Sequence, residues 1–154
     1  MRFRFLAFPL ALAICMAAGW ALGKTPAYRW LNPPDRKDGI PFTHAVVAGD
    51  TIYLAGTLGL EPETGQAPKD PAKEVRLALD GVKRKLKLAG AEMEDLVSVT
   101  VFCSDISLYG TFNEIYGTYF EKGKYPTRAF VGSGPLLRGA RFEVVGIAVP
   151  RKGG

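Results

Sequence analysis

The sequence predicts an α+β domain in which two helices cover one face of a β-sheet. Short runs rich in β-branched and aromatic residues alternate with two longer stretches whose apolar residues recur at helical spacing. The predicted order is β-β-α-β-α-β-β, which favours both helices on the same side of the sheet. Because the opposite sheet face is also apolar and has no predicted cover, we expect the chain to self-associate through it.

Residues 1–23 are predicted to be separate from that domain. A basic start is followed by an uncharged apolar run, and small residues precede Lys24. This order is typical of a secretory signal peptide, so we expect the protein to be exported, to the periplasm. The alternative is an uncleaved membrane anchor, which Pro9 and Gly19 disfavour because both residues weaken a spanning helix.

Composition limits the classes of partner. The formal net charge of +5 is mild and includes two arginines of the predicted signal peptide. Most of the basic residues at 83–87 are interpreted as the solvated face of a helix, so we expect no nucleic-acid partner. Cleavage of the signal also removes Cys15. Cys103 then has no partner for an internal disulfide, and we expect it to be buried at the end of a strand.

The predicted domain follows an irregular lead-in. Residues 24–39 are rich in proline and charge, and we expect their aromatic side chains to dock on the domain. The domain itself is predicted to span 40–151. It opens with two β-rich runs, 45–47 and 51–55, which the Gly49-Asp50 turn joins as a hairpin.

The clearest helix is predicted over 71–89. Asp70 suits its N-cap, Pro71 suits its first turn, and Gly90 ends it. A strand rich in β-branched residues follows at 96–103 and is apolar enough to be central in the sheet. A second helix begins shortly after that strand, at Asp105 or Ser107, and carries a buried aromatic stripe.

The C-terminal stretch contains an isolated pair of opposite charges. Residues 125–149 are predicted to form two strands around a turn near Leu136 and Leu137. If these strands pair as a hairpin, Arg128 and Glu143 become diagonal neighbours on one sheet face, roughly 7–8 Å apart at the backbone. A guanidinium beside a carboxylate on an otherwise apolar face predicts a site for a small anionic ligand.

Seven short segments, taken in order, resemble one known family. The segments are Ile40-Pro-Phe42, Gly49–Gly56, Glu61–Gly65, Val99–Phe102, Phe112–Phe120, Pro126-Thr-Arg128 and Phe142–Val149. Together they are similar to the RidA/YjgF family of small trimeric enamine/imine deaminases, which were also described as endoribonuclease-like. The resemblance implies a chorismate-mutase-like fold with a mixed sheet. It also implies a homotrimer whose sheets form the core, with clefts between the subunits.

The resemblance also implies roles for individual residues. Arg128 would grip the carboxylate of a 2-imino or 2-enamino acid, and Glu143 would position or activate the attacking water. Gly56 and Phe130 would line the cleft, and Asn113 would help to shape it. Hydrolysis of the imine then yields a 2-keto acid and ammonia, and neither a metal nor an organic cofactor is expected.

Two positions depart from the pattern of that family. Phe42 stands where the deaminases have a tyrosine, and Ala55 stands where they have a serine, so two cleft hydroxyls are missing. Phe42 would then be an apolar cleft wall, and Thr57 is the candidate to supply a hydroxyl. These losses keep open a second function, a trimer that binds small carboxylates without turnover. RNA cleavage is disfavoured because the chain has only one histidine, His44.

Overall fold

The computed structural model describes residues 27–37 and 39–151, so the predicted signal peptide at 1–23 lies outside the described residues. The strands are β1 (Tyr28–Leu31), β2 (Ala45–Ala48), β3 (Thr51–Leu58), β4 (Leu96–Cys103), β5 (Thr127–Gly132) and β6 (Phe142–Ala148). The helices are α1 (Pro71–Ala89) and α2 (Tyr109–Gly117). None of the described helices is both long and apolar enough to cross a membrane.

All six strands belong to one mixed sheet with the order β1-β2-β3-β6-β4-β5. β4 and β5 are parallel, and the other neighbours are antiparallel. Both helices pack on the same face and enclose one core, in which Phe112 and Phe142 are fully buried. The predicted α+β fold with two helices on one sheet face is therefore confirmed.

The lead-in before the domain contains a strand, which corrects the prediction that it is irregular. β1 pairs along its whole length with β2, whose other edge forms the predicted hairpin with β3. The aromatic side chains of β1 do not dock on the core, because Tyr28 is 53% exposed and Trp30 is 65% exposed. Propensity alone missed the strand, since the edge of β2 supplies its hydrogen-bond partners.

The caps of α1 lie where the sequence predicts them. The Asp70 side chain accepts a hydrogen bond from the backbone N–H of Ala72, and Pro71 occupies the first turn. At the other end Gly90 adopts a left-handed conformation, with φ of 80°, and its N–H returns to the last turn of the helix. These local signals explain why both ends of the helix agree with the prediction.

A buried carboxylate joins α1 to the start of β6. Glu74, in the first turn of α1, is fully buried, and its oxygens accept from the backbone N–H groups of Arg141 and Phe142 at 2.6 and 3.0 Å. The Arg141 Nε donates to the same carboxylate at 2.7 Å. The Arg141 guanidinium also donates to the backbone oxygens of Pro68 and Lys69. Because all these groups hold one side chain, Glu74 fixes the helix, the preceding loop and the strand relative to one another.

The predicted hairpin between the two C-terminal strands is wrong, because β4 lies between them. Val99 of β4 pairs with Arg128 of β5 on one side and with Gly146 of β6 on the other. The connection from β5 to β6 passes around the end of β4, where Ser133 N–H donates to Cys103 O at 2.8 Å. β4 buries Leu96, Val99, Val101 and Cys103, and a central place with partners on both edges suits such a strand.

This insertion places Arg128 and Glu143 on opposite faces of the sheet. Arg128 aligns with Val99, which is buried under the helices. Glu143 aligns with Phe102, which lies on the other face, and its neighbours along β6 are buried under the helices. Since successive residues of a strand point to opposite faces, one sheet separates the two charges within a protomer.

The face away from the helices, here called the outer face, is apolar and uncovered in the single chain. It carries Phe102, Val145 and Ile147 along its centre, and all three are partly exposed. Tyr53 and Val131 extend it to the flanks and are 49% and 41% exposed. A contiguous apolar surface of this kind on a sheet is characteristic of an interface between subunits.

We predict that Glu74→Ala lowers the free energy of unfolding by about 3–5 kcal/mol, because it removes the ion-pair partner of Arg141 and leaves two backbone donors without an acceptor. Urea denaturation at matched protein concentration measures the change. Glu121→Ala is the matched control, since its ion pair with Lys124 is exposed at the surface. We expect that control to stay within about 1 kcal/mol of wild type. Equal losses in the two variants would contradict the anchoring role of Glu74.

Candidate active site

Arg128 is held at the edge of the sheet by neutral groups of α2. Its Nη2 donates to Asn113 Oδ1 at 2.6 Å, and its guanidinium lies 4.7 Å from the centroid of the Tyr116 ring. Tyr109 and Phe130 contribute further aromatic faces at 5.8 and 6.0 Å. Among the described residues no carboxylate forms an ion pair with Arg128. The charge is therefore positioned without being neutralised.

A cavity of about 370 Å³ opens beside this guanidinium. Its wall is formed by residues of α2, the following turn and β5, namely Asn113, Tyr116, Gly117, Tyr125, Pro126 and Arg128. A guanidinium offers five N–H donors, of which Asn113 uses one and the neighbouring Tyr109 hydroxyl can use another. The remaining donors and the flat aromatic walls suit a small carboxylate.

Two tyrosines next to Arg128 respond to it in different ways. The pKa of Tyr109 is lowered by a hydrogen bond with Asn113 and by the positive charge of Arg128. Burial raises the pKa of Tyr116 to about 12, against the lowering effect of Arg128. The Tyr116 hydroxyl is buried and has no hydrogen-bond partner in the part of the chain that the structure describes. Tyr116 therefore serves Arg128 through the face of its ring and not through its hydroxyl.

Glu143 lies on the outer face and packs directly against Gly56. A Cβ added at Gly56 would lie 1.9 Å from Glu143 Oε1, so any larger residue would force the carboxylate to move from this position. The pairing of β3 with β6 is interrupted between Leu54 and Thr57, which marks a β-bulge at Ala55 and Gly56. The bulge thus provides the shallow seat in which the carboxylate sits.

The opposite side of this bulge is occupied by a buried lysine. Lys85 of α1 is 9% exposed, and its Nζ donates to Ala55 O, Gly56 O and Thr57 Oγ1 at 2.9, 2.8 and 2.8 Å. Burial lowers the pKa of Lys85 to about 8, although the Glu143 carboxylate raises it. Three of the four basic residues at 83–87 are exposed, as the sequence predicts for most of them, and Lys85 is the buried exception.

Thr57 does not have the position expected of a cleft hydroxyl. Its side chain is 6% exposed, it accepts from Lys85, and it donates to Ala55 O at 3.2 Å. Because the bulge shifts the register of β3, the hydroxyl of Thr57 faces α1, whereas Glu143 lies on the outer face. Thr57 therefore does not place its hydroxyl beside Glu143.

Phe42 and His44 lie in the segment that precedes β2. The Phe42 ring is 46% exposed and lies 5.7 Å from the His44 ring. Arg36 stacks on Phe42 at 5.0 Å and donates to the backbone oxygen of the same residue. His44 is bound to Asn32 Oδ1 at 3.0 Å through both its ring and its backbone N–H. These contacts fix the position of Phe42 next to the β3 bulge, since Ala55 N–H donates to His44 O at 3.0 Å.

The predicted site residues therefore form two clusters on opposite sides of the sheet. Arg128, Asn113 and Phe130 lie together on the helix side, where Phe130 packs edge-on against Phe112. Gly56 and Glu143 lie together on the outer side. The sequence identified the members of both clusters but placed them in one.

Sequence reasoning missed two residues of these clusters. Lys85 lies three residues after Val82 and four before Ala89, so the helical spacing that identified the buried stripe also includes it. Because Lys85 is charged, it was not counted among the buried residues of that stripe. Tyr116 was predicted only as part of the buried stripe of α2. Its contact with Arg128 depends on the packing of β5 beside α2, which helical spacing does not indicate.

Comparison with known proteins gives a consistent family. The model of the family described as "Endoribonuclease L-PSP" matches residues 37–150. The chain belongs to this family. It is the RidA/YjgF family to which the sequence motifs point, and that prediction is confirmed.

The relatives include proteins named as imine deaminases and solved structures. The chain is 41% identical over 110 residues to the 2-iminobutanoate/2-iminopropanoate deaminase of Mus musculus, covering 71% of this chain and 81% of the mouse protein. The crystal structure of the E. coli YjgF gene product matches with a TM-score of 0.67 and 33% identity over 72% of this chain and 89% of that one. The structure of E. coli TdcF with bound serine matches with a TM-score of 0.72 and 29% identity over 80% and 99%.

The buried Tyr116 hydroxyl allows a test of how Arg128 is supported. We predict that Tyr116→Phe keeps the free energy of unfolding or raises it by up to about 1 kcal/mol, because it removes an unpaired buried group and keeps the ring. Chemical denaturation measures this change. Tyr119→Phe is the control, because the Tyr119 hydroxyl donates to Asp80 at 2.9 Å. We expect the control to lose about 1 kcal/mol. A loss in Tyr116→Phe larger than in the control would show that the hydroxyl has a partner.

Proposed function

We propose that this member of the RidA/YjgF family hydrolyses 2-imino and 2-enamino acids to 2-keto acids and ammonia. The reaction would occur in clefts between the subunits of a homotrimer. Arg128 of one protomer would bind the substrate carboxylate, and Glu143 of a neighbouring protomer would position and activate the attacking water. The observation that carries this arrangement is the placement of Arg128 and Glu143 on opposite faces of one sheet.

Two copies of the chain are needed to bring these charges together. The sheet separates them within a protomer, and β5, which carries Arg128, is an edge strand. The outer face around Glu143 is apolar and uncovered, with Val145 and Ile147 partly exposed. A neighbour that covers this face with its own sheet would bring its β5 edge towards Glu143. A closed trimer satisfies this requirement at three equivalent clefts.

The chemistry requires little more than these groups. A bidentate guanidinium holds a planar carboxylate and thereby orients the C=N bond of the substrate. A carboxylate beside a water molecule accepts a proton as the water oxygen attacks the imine carbon. The carboxylate passes this proton to the nitrogen, which gives a tetrahedral intermediate with one hydroxyl and one amino group. The hydroxyl proton then moves to the nitrogen as the C–N bond breaks and the C=O bond forms, so ammonia leaves and the 2-keto acid remains.

The relatives support the same reaction and the same class of ligand. The mouse relative carries the name of a 2-iminobutanoate/2-iminopropanoate deaminase, and it is 41% identical to this chain. The E. coli relative was solved with serine, which is a small amino acid with a free carboxylate. The cavity next to Arg128 has the size and charge for such a ligand.

A trimer that binds small carboxylates without turnover is the second candidate. It is favoured by one observation, that residues 42, 55 and 57 of the described chain place no hydroxyl beside Glu143. Phe42 and Ala55 replace hydroxyl residues of the deaminase pattern, and the Thr57 hydroxyl is engaged on the helix side. Such a protein would keep the carboxylate grip of Arg128 and would lack efficient proton transfer.

Turnover assays distinguish the two candidates. We predict that the protein accelerates hydrolysis of iminopropionate and iminobutyrate generated in situ by an amino-acid oxidase, with semicarbazide as the competing trap. Arg128→Ala should lose both turnover and pyruvate binding, because the carboxylate loses its partner. Glu143→Gln should bind pyruvate as wild type does and lose about 10²- to 10⁴-fold in kcat, because the general base is absent.

The outcomes separate cleanly. Pyruvate binding without turnover in a folded wild-type protein would establish the binding candidate. Turnover that survives in Arg128→Ala would contradict the assigned site. Asn113→Asp serves as a graded control, since the new carboxylate would neutralise Arg128 without removing it. We expect it to weaken pyruvate binding while Glu143 and the outer face are unchanged.

We also propose that the protein is exported through residues 1–23 and acts in the periplasm. The support is the sequence pattern alone, a basic start, an apolar run and small residues before Lys24. Expression in a Gram-negative host followed by fractionation and intact-mass measurement tests it. We expect the periplasmic fraction to contain a chain that begins at Lys24. A full-length chain in the membrane fraction would instead establish the uncleaved anchor.

A further inference from the structure

The burial of Lys85 calls for a functional explanation. All three N–H donors of its ammonium are used, by the oxygens of Ala55, Gly56 and Thr57. Burial of a charge costs free energy even when the hydrogen bonds are made. An apolar residue at this position of α1 would pack on the same sheet face without that cost. Hydrogen bonding explains how the lysine is tolerated, and its location suggests what it does.

Lys85 binds the one segment of β3 that departs from regular strand geometry. Successive carbonyls of a regular strand point to opposite edges of the strand. Here the consecutive carbonyls of Ala55 and Gly56 both accept from the same ammonium, so the bulge has turned them towards α1. The lysine and the bulge therefore require each other: the bulge supplies the acceptors, and the ammonium keeps them on the same side.

The same residue of the bulge supports Glu143 from the other side. The Glu143 carboxylate contacts Gly56 so closely that a Cβ would overlap Oε1. The Lys85 ammonium and the Glu143 carboxylate are thus separated by a single layer of backbone. Across that layer the negative charge of the Glu143 carboxylate raises the pKa of Lys85, against the larger lowering effect of burial.

The neighbouring basic groups of Lys85 disfavour its positive charge. Arg84 of the same helix lowers the pKa of Lys85. Arg84, Lys87 and His44 line, together with Lys85, a cavity of about 550 Å³ between α1 and the segment before β2. Among the charged groups described around Lys85, the Glu143 carboxylate is the one that stabilises its positive charge.

We propose that Lys85 is a positioning residue of the active site, whose buried ammonium fixes the β3 bulge from the helix side and thereby holds Gly56 and the Glu143 carboxylate in place for catalysis. This role rests on the deaminase function proposed above. It assigns to α1 a part in the reaction even though no atom of α1 faces the outer side of the sheet. Lys85 itself does not contact the substrate, because all its donors are committed to the protein.

Steady-state kinetics across pH tests this role. Lys85→Met should lower kcat by about 10- to 100-fold, because a misplaced Glu143 no longer holds the water in line. KM for iminopropionate should stay within about two-fold of wild type, since Arg128 lies on β5, which β6 and β4 separate from the β3 bulge, and keeps its own contacts. As the pH rises through about 8, Lys85 loses its proton and wild-type kcat should fall, whereas Lys85→Met should show no such fall.

Two further variants serve as controls. Lys83→Met removes an exposed lysine from the same helix and should leave kcat and its pH dependence as in wild type. Lys85→Arg keeps a charge that persists above pH 9 and should therefore move the alkaline fall to higher pH. Comparison of variants at each pH cancels the pH dependence of the imine itself. Wild-type kcat in Lys85→Met, or a KM effect alone, would overturn the proposal.

An activity-independent measurement separates this role from the deaminase function. Backbone amide resonances of Gly56, Thr57 and Glu143 should titrate in wild type with a midpoint near pH 8, and these titrations should be absent in Lys85→Met. If wild type shows the titration but does not hydrolyse imines, the deaminase function fails and the Lys85–bulge coupling stands. If the amides of Glu143 and Gly56 do not respond, Lys85 does not position them and the proposal fails.

Discussion

The central place of β4 is the constraint on which the rest of the structure depends. This strand takes β5 on one edge and β6 on the other, so the two strands that carry Arg128 and Glu143 never touch. The register then sends Arg128 to the helix side and Glu143 to the outer side of the sheet. A single chain cannot use both groups on one small molecule. The proposed association with a second copy of the chain would cover the apolar outer face and also complete the site.

The charged groups around the proposed site are held by neutral partners. Arg128 is bound by an amide oxygen and aromatic faces, and Lys85 is bound by two carbonyls and a hydroxyl. Glu143 sits on a glycine. By contrast, Glu74 and Arg141, which serve the fold, are paired with each other. Arg128 and Glu143 have no ion-pair partner among the described residues, so Arg128 is available to a substrate carboxylate and Glu143 to a water molecule.

Local sequence signals predicted the first helix and the first hairpin correctly. The predictions that failed concern strands whose pairing partners are distant in the sequence. The Asp70 and Gly90 caps define α1, and Gly49 defines the β2–β3 hairpin, because each is a contact within a few residues. Arg128 and Glu143 lie on either side of a clear turn pattern, which favours a hairpin. Strand β4, from further upstream in the chain, nevertheless lies between their two strands, and no local sequence rule indicates this. The bulge that turns Thr57 away depends on β6 and α1 together. The resemblance to the family identified the site residues and left their placement on the two faces open.

The most direct test of a site shared between subunits is to mix two inactive variants. Arg128→Ala and Glu143→Gln would be unfolded together at equal concentration and refolded into mixed trimers. If each cleft combines Arg128 of one protomer with Glu143 of the next, random mixing restores about a quarter of wild-type clefts. Imine turnover near that fraction is the result that the account predicts. Turnover no higher than that of the separate variants, in mixtures shown by native mass spectrometry to contain both chains, would contradict it.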